Sequence, residues 1–575
     1  MDKNEVIEAM SKLGYKYTDD GNILNSKNAE IANFLIVPKR QVRVKQHDSY
    51  EISVELSAII MGDKEVKNIK LPASEVASLK WVDSQLGLDA IVYERREFII
   101  FIKKLFANVE VTSQYSHTGW IKSQCGTYEY LDYCGAIQNQ EIQVEMDEHF
   151  KSYKFPRKKI DIKLAAQQSL NLLNVVDKGI GYILLGLVFL CPLLEFIGEG
   201  LKLPEFVVWL YGLTGTRKTT IAKSFAAHFG NFENRVTASF NDTYTSIELK
   251  AHKLKDSLML LDDFCPQQSY RETQNINTIA EKIVRAYGDR TSRGRSTVTM
   301  ESQIQFIPRG MAIITGESIV PGSSTVARLV PIEMKKDSVN LKELTKTQKN
   351  LELLSINMRE FILWIKNEAN TDYDELVDAI KVNYNNYLDE IKEKAVDTHG
   401  RTYEAFAWLL LGLDMMYQFY CHIGIITQNQ ADKAIDDAKK EFLEQIKIKD
   451  ENSRTEDPVE LFLETIKELL TSNALTMKNV DTDEVIGNSY KPIDVFFDSE
   501  YYYFNSNNIY GIVRSKLQRA GIYFQLPPRA LLKALGDREI IKTEEKNNLP
   551  KKIIRDANGN VSRPRMLHIK RHFID

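Results

Sequence analysis

From residue 206 to 334 the chain repeats one pattern: a short, unbroken apolar run, a polar turn, then a helical stretch. The runs are FVVWLY (206–211), LMLL (258–261), MAIIT (311–315) and LVPIEM (329–334), and the helical stretch after the first is TIAKSFAAHF (220–229). Unbroken runs of this kind predict buried parallel strands joined by crossover helices. Residues 1–155 differ, with short helical segments and strand-like stretches such as YEISVELSAII (50–60) and EFIIFIKKLF (97–106). A basic run at 154–163 reads as a linker, residues 340–450 read as almost wholly helical, and the polar stretch 448–458 reads as a second linker. The apolar segment 180–198 approaches membrane-spanning length. It carries Pro192 and Glu195 and has no basic or aromatic anchors. A buried helix packed under a sheet is therefore expected, and no membrane partner.

Length and composition narrow the class. At ~150 residues per domain, 575 residues make three or four domains. With 43% apolar and 27% charged residues, a collagen-like or globally disordered chain is excluded. Five cysteines without C-x-x-C spacing make a disulfide scaffold or zinc finger an unsuitable reading and a reducing, cytoplasmic location the expected one. The start, MDKNEVIEAM, is too acidic and polar for a signal peptide. The net charge of −4 hides an asymmetry. Residues 505–575 hold 15 Lys/Arg against 6 Asp/Glu, and the rest of the chain holds 60 against 73. A basic tail on an acidic body points to an anionic partner.

The chemistry lies in the middle. Gly212-Leu213-Thr214-Gly215-Thr216-Arg217-Lys218-Thr219-Thr220 follows the first apolar run and opens a helix. A glycine-rich turn before a helix N-terminus surrounds phosphates with backbone N–H groups. The lysine reaches the β/γ-phosphates, and the next hydroxyl, Thr219, ligates Mg²⁺. Arg217 stands where glycine usually precedes the lysine. The second run ends in Asp262-Asp263, the first acid suited to holding Mg²⁺ and the second to polarising an attacking water. The second acid is usually Glu, so Asp263 is one methylene short.

Further along, Thr315 at the end of the third run either helps position the γ-phosphate and its water or merely ends a strand. Arg328, just before the fourth run, either reaches a neighbouring subunit's γ-phosphate or forms a surface ion pair. Between the second and third runs, the segment holding Arg290, Arg293 and Arg295 reads as a basic hairpin or loop. It serves either a single-stranded nucleic acid in a channel or a subunit interface. In the tail, the helical stretch 506–520, a glycine, and the stretch 529–542 precede a basic loop and a last strand, the order of a winged helix. Arg529, Lys533 and Arg538 would then face a DNA groove, with Arg563 and Arg565 on phosphates. A wing used for protein contacts is the alternative.

These motifs together resemble the AAA+ fold. G-x-x-G-T-x-K-[ST] with a non-glycine before the lysine is similar to the phosphate loop of minichromosome-maintenance (MCM) helicases. The whole chain resembles the MCM-like Rep initiator-helicases of staphylococcal pathogenicity islands and the related cassette-chromosome helicases. His117-Thr118-Gly119-Trp120-Ile121 with the following YEYLDYCGAI resembles the end of their N-terminal domain. Arg401, in HGRTYEAFAWLLLGL, matches the sensor arginine of their helical lid.

The resemblance implies an α/β chain with four parts. They are an α+β N-terminal domain (1–155), an AAA+ P-loop ATPase core with preceding helices (156–340), a helical lid (341–450) and a C-terminal winged helix (451–575). It further implies an ATP- and Mg²⁺-dependent replicative DNA helicase and initiator of a mobile element. The protein would work as a homo-oligomeric, hexameric ring on single- and double-stranded DNA, with replication accessory proteins as possible partners. An origin-binding ATPase that loads or remodels another protein without unwinding DNA is the alternative. A monomeric phosphotransferase is a weaker reading, opposed by Arg328, the helical stretch and the basic tail.

Overall fold

The structure, a computed structural model, describes every residue except 1, 47–48, 61–64, 108, 110, 124, 140, 159, 199, 266–268, 292–305, 396–399, 456, 488–491, 520–523, 525, 545–547 and 556–560. The chain divides into two compact units, residues 1–319 with 328–442 and residues 320–327 with 443–575.

The first unit begins with a five-stranded sheet built on a long antiparallel hairpin, Phe34–Gln46 with Ser49–Ile60. Glu65–Pro72 extends it on one side, and Val111–Tyr115 and Gln143–Val144 extend it on the other. The stretch 97–106, expected as a strand, belongs instead to the helix Arg95–Phe106. Its buried residues Phe98, Phe101, Ile102, Leu105 and Phe106 recur at three- and four-residue spacing, which is one face of a helix. That face packs into the same core as Phe34, Leu35 and Ile36.

A second, three-stranded sheet (Gly119–Lys122, Tyr128–Asp132, Gly135–Ala136) grips the start of the acidic strand Leu258–Phe264. The Trp120 amide donates to Asp256 Oδ2 (2.9 Å), and its indole to the Pro192 carbonyl (2.7 Å). Tyr130 donates to the Asp256 carbonyl (2.7 Å), and Tyr153 to the Leu258 carbonyl (2.8 Å). Gly119 has φ +90°, and a Cβ there would stand 2.4 Å from the Lys255 carbonyl oxygen. Residues 117–155 thus pack into the central sheet's own structure, across the boundary expected at 155. The expected linker at 154–163 is pinned as well. Phe155 is buried, its amide donates to Asp132 Oδ2 (3.0 Å), and Arg157 clasps both oxygens of that carboxylate (2.9 and 3.0 Å). Basic composition hid this, because the anchors are one aromatic ring and one buried carboxylate distant in sequence.

The central sheet has the spatial order Ala238–Ser239, Leu258–Phe264, Met311–Gly316, Val207–Tyr211, Leu329–Glu333, with every neighbouring pair parallel. In chain order this is 2-3-4-1-5, so the first strand lies between the fourth and fifth. Parallel strands place all their carboxyl ends on one edge, where loops from different strands can meet.

The apolar segment 178–196 is long and apolar enough by composition to cross a membrane, with mean hydropathy 2.0, but 94% of it is buried. Its helix Lys178–Leu190 lies against the helix Gly400–His422 rather than under a sheet alone. A Cβ on Gly186 would stand 2.5 Å from the Leu409 carbonyl, and one on Gly412 2.1 Å from the Gly186 carbonyl. Two facing glycines allow this crossing. The helices Leu341–Gln348, Leu351–Thr371, Tyr373–Lys394, Gly400–His422 and Gln428–Thr455 fill the stretch read as helical. The last of them runs on through 448–455, where a linker was expected.

In the second unit the helices Pro458–Thr471, Ser506–Arg519 and Pro528–Asp537 share one core with a five-stranded sheet. That sheet runs Val485–Ile486, Met477–Asn479, Val495–Phe497, Tyr501–Phe504, Leu567–Lys570. The two later helices and the last strand match the expected order, but the four strands between 477 and 504 were not foreseen. A separate antiparallel pair, Ile554–Arg555 with Val561–Ser562, lies in the basic loop.

Candidate functional site

The strand Val207–Tyr211 is packed on both sides, its Trp209 ring 5.0 Å from Phe264 and the indole donating to the Ser318 carbonyl (3.1 Å). It delivers the chain rigidly into Gly212. There φ is +145°, and a Cβ would stand 2.4 Å from the Met334 carbonyl oxygen, so only glycine fits. Gly215 also has positive φ (91°), and Thr216 ties the turn shut through Oγ1 to the Leu213 carbonyl (2.9 Å). Arg217 occupies the left-handed region (φ 67°, ψ 19°) directly before the helix Lys218–Ala226. That conformation is the reason glycine is usual there, and an L-residue adopts it at a cost of ~1–2 kcal/mol. The Arg217 side chain is exposed.

Lys218 folds its ammonium back into the turn, donating to the carbonyls of Gly212 (2.7 Å) and Leu213 (3.0 Å). Burial lowers its pKa, opposed by the charges of Glu317 and Asp262. Thr219 Oγ1 donates to Asp262 Oδ1 at 2.8 Å, and Thr315 Oγ1 donates to the same oxygen. Three adjacent parallel strands therefore bring Lys218, Thr219, Asp262 and Thr315 to one edge. Thr315 thus bonds Asp262 and does not simply end its strand. Thr214, Thr216 and Thr220 complete the loop and the helix start. A cavity of about 300 Å³ lined by Thr219, Thr220, Lys223, Glu233 and Gln348 opens beside them.

Asp263 is exposed, with φ +70°, at a register shift between Leu261 and Phe264. This bulge turns the strand's second acid out of the alternating pattern. Sequence reading missed Glu317, two residues beyond Thr315. It accepts from Thr214 Oγ1 (2.5 Å) and Cys265 Sγ (3.2 Å), and these bonds hold its carboxyl below the ordinary range. A carboxylate just past a strand that neighbours the loop strand was the available signal.

A hydroxyl and a carboxylate 2.8 Å apart, with a lysine in a turn of backbone amides, suit a hydrated divalent cation and a polyphosphate. Mg²⁺ takes few protein ligands and keeps its waters, so this pair fits it. Among the described residues no cluster of three or more His, Cys, Asp or Glu offers a metal cage.

The arginines lie elsewhere. Val207 pairs with Leu329 and Tyr211 with Glu333, so Arg328 stands at the amino end of the sheet. At ~3.3 Å per residue it is roughly 16 Å from the loop that follows Tyr211. There Arg328 Nε and Nη2 donate to the two oxygens of Asp289 (2.9 and 3.1 Å), and Arg401 Nη2 donates to Oδ1 (3.1 Å). Burial raises the Asp289 pKa, but the two arginines outweigh it and hold the carboxyl below its ordinary value.

Two expected nucleic-acid contacts are corrected. Arg290 turns inward, its guanidinium donating to the carbonyls of Pro204 (2.9 Å), Pro308 (3.1 Å) and Gly310 (2.8 Å), and burial pushes its pKa down to about 10. It pins the entry to the strand Met311–Gly316 and is not presented to a ligand. Arg538 pairs with Asp457 (2.6 Å), the N-cap of the helix Pro458–Thr471, and lies 3.9 Å from Glu460. Its charge is spent within the fold. Arg293 and Arg295 lie outside the described residues. Arg529 and Lys533 are exposed one turn apart on the helix Pro528–Asp537, whose Leu531 and Leu535 face the core, and Arg563 and Arg565 are exposed beside Val561–Ser562.

No family model matches the chain, and no curated protein matches it. Among solved structures it is similar to one described as "SCCmec type IV Cch - active helicase", with TM-score 0.57, 11% identity and 98% of each chain covered. At that identity the likeness establishes a common fold over nearly the full length.

Proposed function

We propose that the protein is an ATP-driven DNA helicase of the MCM-like AAA+ type that also initiates replication of a mobile genetic element. In this reading the ATPase core, expected at 156–340, also takes in the packed residues 117–155, and 341–450 is its helical lid. The residues before 117 regulate or load, and 451–575 is a winged helix. The observation that carries it is the division of one chemistry between opposite edges of one sheet. The phosphate loop sits at the carboxyl edge, and Arg328 with Arg401 at the amino edge, beyond reach of their own loop. Such a site is complete only between copies joined head to tail, and head-to-tail contacts that close make a ring. A hexamer is the expected size. The strand order 2-3-4-1-5, and the full-length likeness to a protein described as an active helicase, support the same reading.

The residue roles follow. The loop amides and Lys218 would hold the phosphates of ATP, and Thr219 with Asp262 would hold Mg²⁺, which supplies charge neutralisation at the β/γ-phosphates. Thr315 fixes the Asp262 carboxylate. Asp263, outside the alternation at its bulge, would orient the attacking water, with Glu317 the nearest other acid on the loop. Arg328 and Arg401 would stabilise developing charge on a neighbour's nucleotide. Arg529 and Lys533 would read duplex DNA, Arg563 and Arg565 would hold phosphates, and Arg293 and Arg295 would follow a single strand.

Unwinding of forked DNA in the presence of ATP and Mg²⁺ is the deciding experiment. Wild-type protein should separate the strands, and Lys218→Ala should neither unwind nor turn over ATP while melting at the same temperature. Turnover without unwinding would favour an origin-binding ATPase that remodels another protein. Wild-type turnover by Lys218→Ala would remove the phosphate-loop assignment itself.

A further inference from the structure

A phosphate loop grips phosphates and is blind to the base they carry, so whatever selects the nucleotide lies beside it. The cavity of about 300 Å³ that opens from Thr219 and Thr220 has no role so far. Its volume is at the small end of the ~300–1,000 Å³ usual for ligand pockets. One wall is a face of the helix Lys218–Ala226, with Lys223 one turn on from Thr219 and Thr220. The other walls are Glu233, from the loop after that helix, and Gln348 and Leu351. These last two end the helix Leu341–Gln348 and begin the helix Leu351–Thr371.

Hydrogen bonds to the backbone hold these walls in place. Lys223 Nζ donates to the Glu233 carbonyl (3.2 Å), and the Glu233 amide donates to Asn231 Oδ1 (3.0 Å). The buried Gln168 donates through Nε2 to the carbonyl of Thr347 (3.3 Å), next to Gln348. The side chains of Glu233 and Gln348 themselves make no hydrogen bond or ion pair among the described residues. Lys223 and Glu233 bring opposite charges to one end of the cavity, so that end offers no net charge to hold a phosphate. It suits the uncharged part of a nucleotide, while the phosphates stay at the loop and Thr219. Leu351 supplies apolar contact for a ring. A glutamine carboxamide matches one purine best, accepting from N6 of adenine through Oε1 while donating to N7 through Nε2. Guanine presents the acceptor O6 in place of the N6 donor, so one of the two bonds becomes a repulsion. We infer that this cavity seats the nucleoside and that Gln348 selects adenine by bonding N6 and N7 together. The inference rests on the proposed ATPase reading and adds to it a reason for ATP over other nucleoside triphosphates.

The test uses full-length protein at fixed free Mg²⁺ and nucleotides altered at one position of the base. 7-Deaza-ATP lacks the N7 acceptor, and ITP carries an oxygen in place of the N6 amino group. For wild-type protein each should show a KM roughly 10-fold above that of ATP, within the ~5- to 150-fold that one bidentate pair is worth. Gln348→Leu should raise KM for ATP by a similar factor with kcat unchanged, as expected for binding shared by ground and transition states. In that variant the three nucleotides should become nearly equal, because the group that distinguished them is gone. A residue that only supported the fold would weaken all three alike. Gln348→Glu keeps the acceptor for N6 but sets a carboxylate against N7, so it should turn over 7-deaza-ATP at least as well as ATP. It carries the test if Gln348→Leu fails to fold. Tripolyphosphate uses the loop without the cavity, so its inhibition constant should be the same for wild-type protein and Gln348→Leu. Equal KM values for the three nucleotides in wild-type protein overturn the assignment. So do differences that persist in Gln348→Leu, or a Gln348→Glu protein that still prefers ATP to 7-deaza-ATP. Weaker tripolyphosphate inhibition of Gln348→Leu also overturns it, since the cavity would then belong to the phosphates. If Lys218→Ala retains turnover, or tripolyphosphate does not compete with ATP, the phosphate-loop reading fails instead.

Discussion

Arg217 and Asp263, the two residues that depart from the usual pattern of such sites, are also the site's non-glycine residues with left-handed backbone, at φ 67° and 70°. At Arg217 the loop keeps the conformation that glycine would take and the arginine bears its cost. At Asp263 a bulge places a shorter acid outside the strand's alternation. Both are strained in the way functional positions often are. In the proposed reading Thr315 acts one bond away from the chemistry. Its hydroxyl and that of Thr219 converge on Asp262 Oδ1. Removing a hydrogen bond to a metal-ligating carboxylate costs ~10–100-fold in metal affinity. Thr315→Val should therefore raise the Mg²⁺ concentration for half-maximal ATP turnover by ~10-fold or more, with little change in ATP affinity at saturating Mg²⁺. A Mg²⁺ titration of the ATPase rate checks this.

Among the elements, the small sheet Gly119–Lys122, Tyr128–Asp132, Gly135–Ala136 belongs energetically with the central sheet. Trp120, Tyr130 and Tyr153 are all buried, and each donates to or just beside the acidic strand. A fragment starting near 158 loses these rings and leaves the Asp256 and Leu258 carbonyls without them, a loss of several kcal/mol from aromatic burial alone, at ~3–5 kcal/mol per large ring. It should give no cooperative thermal transition, whereas a fragment starting near 116 should unfold cooperatively and turn over ATP.

In the second unit, His568 is buried beside the Tyr503 ring (4.7 Å), and its Nε2 has no hydrogen-bond partner. Burial, with Lys542 and Lys552 nearby, pushes its pKa down to about 4. The unfolded chain takes up the proton first, so the stability this residue contributes is complete above pH ~6.5 and is lost as pH falls toward 4. His568→Phe should remove up to ~3 kcal/mol of that acid sensitivity, at ~1.36 kcal/mol per pKa unit. Urea unfolding of residues 443–575 at pH 7 and pH 4 is the measurement.

At the scale of the whole molecule, the acidic body and basic tail place DNA binding, in the proposed reading, on the tail. Arg538 pairs with Asp457, and Arg529, Lys533, Arg563 and Arg565 of the expected set are exposed in the second unit. Duplex binding by residues 443–575 should weaken steeply with salt. Replacing Arg563 and Arg565 together should lower the slope of log K against log salt by up to ~1.8, at ~0.9 per phosphate contact. Arg538→Ala should leave that slope unchanged and lower the melting temperature instead, because its partner is a helix cap. A fluorescence-anisotropy salt titration separates the two effects.

The sequence by itself determined what depends on local order. Apolar runs announced four of the five strands of the central sheet, Gly212 and Gly215 announced a turn that a Cβ would block or strain, and the charge count separated tail from body. The stretch 97–106 was misread because seven closely set apolar residues satisfy both periods until a partner surface selects one. Only the tertiary structure decided which distant groups meet. Asp289 gathers Arg328 and Arg401 from 39 and 112 residues away, Asp132 fixes Arg157 and the Phe155 amide, and three carbonyls turn Arg290 inward. A charged side chain reads the same in sequence whether it faces solvent, a ligand or a buried counter-charge. Its partner is set by strand order and register, and those are settled by packing among segments that lie far apart along the chain.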